Sequence, residues 1–189
     1  MALVDLYHRS VDGFVDRVAR TRPDQWSAPT PCTEWDVRTL VNHLAYEDRW
    51  SVPLLEGATI AEVGDRFEGD LLGDDPVTAS TDAADATKAA VASDGALDRS
   101  VHLSFGDTPA GEYVHQLLAD HLVHSWDLAV AIGADRTLDP EAVRACLEWF
   151  ARQEDAYRSS GAIGPRVDVP ADAGDQDRLI AAFGRDPRR

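Results

Sequence analysis

Residues 117–133, LLADHLVHSWDLAVAIG, read as one long buried helix that carries three polar side chains, Asp120, His121 and His124. Apolar residues recur through it at helical spacing, and Gly133 stands where a helix ends on a left-handed residue. On a helix turning about 100° per residue, positions 113, 117, 120, 124, 128 and 131 fall on one stripe. Tyr113, Leu117, Asp120, His124, Leu128 and Ala131 therefore share a face. An unpaired carboxylate is costly to bury, so Asp120 and His124 need partners from another part of the chain. His121 borders the same stripe, and spacing alone does not choose between it and Asp120.

Outward from this stretch the helical pattern repeats. Thr108 and Pro109 read as a helix start, giving a helix over about 109–131. Asp139 and Pro140 open another over about 140–158, with Val143, Leu147 and Phe150 inward. Leu3, Leu6, Tyr7, Val11, Phe14 and Val18 define a first helix over about 2–21, stopped by Pro23. Thr33 followed by Asp36 has capping-box spacing, so a second helix is expected from Glu34 to about 56, with Val37, Leu40, Val41 and Leu44 inward and Pro53 near its end. An alanine-rich segment over about 76–94 predicts a third helix with a thin core face.

VHLSF, residues 101–105, alternates too briefly to make a sheet alone, and residues 64–76 read as an acidic, mobile surface loop. Residues 161–189 form a C-terminal extension with one short helix. Long helices, short connections and little strand signal predict an all-α protein, a four-helix bundle in a single domain spanning 1–189.

Composition narrows the function. The 189 residues carry a net charge of −16, which repels phosphate backbones and anionic lipid, so neither nucleic acid nor membrane is an expected partner. No stretch approaches the ~20 apolar residues of a spanning helix, and the first twenty residues mix Asp and Arg into their apolar positions, unlike a secretory signal. Two cysteines, Cys32 and Cys146, make no disulfide framework or C-x-x-C motif, so a cytoplasmic setting is expected. Gly-rich phosphate loops and G-x-S-x-G elbows are missing from the sequence.

A bundle builds its sites from inward side chains on facing helices. His43, on the flank of the second helix's apolar face, is the candidate to meet Asp120 and His124. Two imidazoles and a carboxylate can hold a divalent metal with coordination positions left open. The bland alternative is an internal hydrogen bond between acid and histidine. His8, His102 and His115 read as surface residues, Trp35, Trp50, Trp126 and Trp149 as core or boundary anchors, and Cys32 as a small buried residue.

Four stretches, PTPCTEWDVRTLVNHL (29–44), FGDTPAGEY (105–113), DHLVHSWDLAVAIG (120–133) and RLIAAFGRDP (178–187), together resemble the DinB-like metalloprotein superfamily. Within it the chain resembles the branch of the N-terminal domain of mycothiol-dependent maleylpyruvate isomerase. The resemblance implies a four-helix bundle whose divalent metal is held by His43, Asp120 and His124, with His121 a neighbour. It implies Zn²⁺ first, with Ni, Fe, Mn or Co as alternatives, and a thiol cosubstrate such as mycothiol acting on a small electrophile, by thiol transfer or thiol-assisted isomerisation. Asp120 stands where the isomerase has Glu, one methylene shorter. The isomerase's separate C-terminal domain has no counterpart here, so maleylpyruvate isomerisation itself is not expected. A non-catalytic small-molecule-binding role stands as the alternative, and a homodimer is left open.

Overall fold

Eight α-helices and one short hairpin make up the regular structure of the computed structural model, which describes residues 2–161 and 163–188. They run α1 (Leu3–Ala19), α2 (Val37–Leu55), α3 (Ile60–Val63), α4 (Pro76–Val91), β1 (Ser100–Leu103), β2 (Gly106–Pro109), α5 (Ala110–Ile132), α6 (Pro140–Phe150), α7 (Glu154–Ser159) and α8 (Asp175–Ala182). The chain is thus mostly helical with one two-stranded sheet.

α5 is the centre of the fold. It packs against α1, α2 and α6, while α1 and α2 also pack against α4, and α8 packs on α6. One apolar cluster joins Phe14 and Val18 of α1 to Val37, Leu40 and Leu44 of α2 and Leu128 of α5. A larger one runs from Tyr7 and Val11 through Val114, Leu118 and Leu122 to Trp149, Phe150 and Ile180. Burial of α5 is not confined to one stripe: every residue from His121 to Ala129 is buried. Each large apolar side chain so buried contributes about 1.5–3 kcal/mol, which is how a helix with polar insertions stays in the core.

α2 begins at Val37 and not at Glu34. Its cap is Asp36, whose Oδ1 accepts the Thr39 amide at 2.8 Å and the Thr39 hydroxyl at 2.7 Å. The preceding residues close a tight turn instead: Thr30 N donates to Trp35 O at 3.0 Å, Val37 N donates to Ala28 O at 3.0 Å, and Glu34 takes a left-handed φ of 74°. A carboxylate at Asp36 is the stronger acceptor for orphan helix amides, so it takes the cap from Thr33.

The other departures have local causes. Thr108 and Pro109 belong to β2, which pairs antiparallel with β1 from Ser100↔Pro109 to Leu103↔Gly106; Gly106, at φ 121°, permits the turn. The expected helix over 140–158 is broken: α6 ends at Phe150, Arg152 N and Gln153 N bond back to Trp149 O and Phe150 O, and α7 starts at Glu154. The break turns Tyr157 edge-on to Trp149 at 5.8 Å and Phe150 at 5.8 Å, a packing one straight helix would not reach. The acidic segment 64–76 is fastened to α2. Asn42 donates to Gly69 O and accepts from Leu71 N, Arg38 binds Asp70 and Gly73 O, and Leu72 is buried.

Candidate metal centre

His43 on α2 and Asp120 and His124 on α5 meet at the floor of a cavity of about 470 Å³. His43 Nε2 lies 3.1 Å from Asp120 Oδ2, and His124 Nε2 lies 3.3 Å from Asp120 Oδ1. One donor atom from each residue falls within 4.8 Å of the others, so a small inward shift of the side chains would close them on a single cation with bonds of about 2.0–2.2 Å. Among the described residues no other trio of His, Cys, Asp or Glu does this. The three residues expected from the sequence are therefore brought together.

His124 is held from behind. Its Nδ1 donates to Asp127 Oδ2 at 3.0 Å, and Asp127, fully buried, is gripped by Arg185, whose Nη2 lies 2.8 Å from the same oxygen. Since Nδ1 must carry the hydrogen, the lone pair of a neutral His124 would sit on Nε2 and face the Asp120 carboxylate. Two acceptors at 3.3 Å repel, so a positive charge belongs between them: a proton on His124 or a cation. With a proton there, burial disfavours the charged ring, but Asp120 and Asp127 outweigh it and push His124 up to about 9. Burial likewise opposes the Asp120 charge, yet His124 and His43 hold that carboxyl well below its ordinary value.

Trp35, set by the turn before Asp36, lies 4.8 Å from the His43 ring and stacks at 5.6 Å on His124. It covers part of both imidazoles and limits their rotation. Around them the cavity wall is aromatic, with Tyr113, Trp149, Tyr157 and Phe183, and its C-terminal side comes from Ile163, Phe183 and Arg185. Cys32 also lines it, its thiol pushed up by burial.

His121 points elsewhere. Its Nδ1 donates to Leu117 O at 3.0 Å, its Nε2 faces Asp48 Oδ1 at 3.4 Å, and its ring meets Tyr7 and Phe14 edge-on. His8 bonds Lys88 O, His102 bonds Asp107, and His115 bonds Gly111 O; none joins the cluster. Asp127, Arg185 and the role of Trp35 were missed in the sequence. The i, i+3 spacing of His124 and Asp127 is a signal that could have found the first, whereas nothing local links Arg185 to a residue 58 positions away.

Comparison with known proteins places the chain in a family. Residues 7–129 match the model of the mycothiol maleylpyruvate isomerase N-terminal domain. The chain belongs to that family. The match spans α1 through most of α5 and so contains all three cluster residues, which confirms the resemblance noted in the sequence. Two similar proteins, the uncharacterized proteins Rv0738 and MT0763 from two strains of Mycobacterium tuberculosis, are each 29% identical over 188 residues, covering 96% of this chain and 97% of theirs. No solved structure matches the chain. No helix among the described residues is long and apolar enough to cross a membrane.

Proposed function

We propose that this member of the family is a metal-dependent enzyme in which His43, Asp120 and His124 hold one divalent cation, zinc in the first instance. In this reading α1, α2, α4 and α5 form the four-helix bundle of the DinB-like fold, and residues 1–189 act as one unit in the cytoplasm. The observation that carries it is the His124 geometry: with Nδ1 given to Asp127, Nε2 and Asp120 both present lone pairs to the same point. A carboxylate behind a histidine is how metal-ligating imidazoles are oriented and made more basic.

A cation held there supplies a Lewis acid that lowers the pKa of a thiol or water in its open position. The chain's own residues do the rest. Asp127 keeps the His124 proton on Nδ1, Arg185 keeps Asp127 ionised, and Trp35 packs against both imidazoles. The aromatic wall accommodates a small apolar electrophile, while the cavity's volume leaves room for a low-molecular-weight thiol beside it. The reaction this supports is thiol transfer, or thiol-assisted isomerisation, with a thiol of the mycothiol type, as the family's description suggests.

Metal analysis of protein purified without a histidine tag tests the centre. About one equivalent is expected, falling below ~0.2 in His43→Ala. Wild-type protein below ~0.2 equivalents after metal repletion would refute it. Consumption of mycothiol with a panel of electrophiles tests the reaction, and turnover that persists in full after chelation would refute metal dependence.

A further inference from the structure

The polar residues lining the cavity fall into two sets. His43, Asp120, His124 and Arg185 are tied to one another and to Asp127. Glu47, Tyr113 and Gln116 line the same cavity, yet none makes a side-chain hydrogen bond or ion pair with another described residue. The Tyr113 hydroxyl is buried without a partner. Tyr113 and Gln116 lie about one turn apart on α5, N-terminal to Asp120, and Glu47 lies one turn past His43 on α2, so all three continue the faces that carry the cluster.

An orphaned buried hydroxyl costs about 1–3 kcal/mol, and protein interiors seldom leave one beside an equally unpartnered carboxylate and amide. The three groups have complementary needs. A carboxylate accepts, a phenol donates, and an amide does both. An anionic ligand group would meet Glu47 with repulsion. A neutral group that offers a hydrogen together with an acceptor satisfies the set.

We propose that Glu47, Tyr113 and Gln116 form a ligand subsite beside the metal cluster, one that takes a neutral amide or hydroxyl group of the bound molecule and so sets specificity. It rests on the reading of this cavity as the reaction site, but its test does not require the cation. Burial, with Asp120 next, raises Glu47 to about 7.

Three small aromatic probes separate the chemistries at pH 7: acetanilide (neutral donor and acceptor), toluene (neither) and benzylamine (cation). Their binding is measured by ligand-observed NMR to wild type, His43→Ala, Tyr113→Phe and Gln116→Leu. Acetanilide is expected to bind wild type about tenfold more tightly than toluene, as one or two net hydrogen bonds would give. Tyr113→Phe and Gln116→Leu should each remove most of that preference and leave toluene within about twofold. The preference should persist in His43→Ala, whereas wild-type protein that holds no metal after repletion yet keeps the preference refutes the metal reading alone. Because the Tyr113 hydroxyl has no protein partner, Tyr113→Phe should melt at or above the wild-type temperature. Equal affinities in wild type, an unchanged preference in both variants, tightest binding of benzylamine, or no binding of any probe at ~3 mM would each overturn the subsite.

Discussion

His124 presents Nε2 to Asp120 Oδ1 at 3.3 Å with its other nitrogen already donated to Asp127, so a cation entering the cluster takes the place of a proton. His124 is raised to about 9, against burial, by Asp120 and Asp127. Below that pH loading must expel the proton, and apparent metal affinity should rise about tenfold per pH unit from pH 6.5 toward 9. Competition with a chelator of known proton stoichiometry measures this. A flat profile would mean the metal does not engage His124.

The same proton gives metal-free protein a pH-dependent stability. A histidine whose folded value lies above its ordinary 6.5 contributes stability that is complete below 6.5 and lost as pH rises through about 9. The loss should be on the order of 3 kcal/mol. Urea unfolding in EDTA at pH 6.5 and 9 reads it, and metal-loaded protein should show the opposite trend. Equal stability at both pH values without metal would place the proton elsewhere.

Much of this was legible before the fold was known, for identifiable reasons. The α5 helix was expected over 109–131 and runs Ala110–Ile132, because its apolar spacing is unbroken and Gly133, at φ 68°, ends it. What periodicity could not show was the break between Phe150 and Glu154, where no glycine or proline marks a bend driven by Trp149, Phe150 and Tyr157 packing. β2 was hidden because three of its four residues, Gly106, Asp107 and Pro109, lack strand character, and only pairing with β1 makes them a strand. In the site, helical spacing put Asp120 and His124 on one face, but the choice against His121 came from family resemblance. Arg185 was beyond reach, since its partnership with Asp127 exists only once α8 has docked.

Asp127 and Arg185 should behave as a unit. Asp127→Asn removes the charge behind His124 and should weaken metal binding about 10- to 100-fold. It also leaves Arg185 without its anionic partner, at a cost of about 3–5 kcal/mol. Arg185→Met should destabilise by a similar amount, and the double variant by much less than the sum. Additive losses in chemical denaturation would show that the pair is not coupled.

Asp36 links helix capping to the site. Asp36→Ala removes the bonds to Thr39 and should cost about 1 kcal/mol. Because the turn that ends at Asp36 also seats Trp35 on His43 and His124, Trp fluorescence and metal affinity should change with it, while Asp75→Ala, a cap on α4 remote from the cavity lining, should cost similar stability and leave both unaltered. Equal effects of the two variants on metal affinity would assign the loss to general destabilisation.

The two neighbouring histidines should separate binding from stability. His43 is 27% exposed and bonds an Asp120 that His124 also serves, so His43→Ala should abolish metal binding and change metal-free stability by no more than about 1 kcal/mol. His121 is fully buried with Nδ1 donated to Leu117 O, so only its protonated form gives Asp48 a donor at Nε2. Burial opposes that charge, but Asp48 overcomes it and raises the His121 pKa. His121→Ala would leave the Asp48 carboxylate buried with only the long Tyr7 hydroxyl bond at 3.4 Å, at a cost of about 3–5 kcal/mol. The folded fraction should still bind one equivalent of metal, since no His121 atom joins the cluster. Metal content and urea midpoints for the two variants decide it: metal loss in a fully folded His121→Ala protein would move the centre one residue along α5.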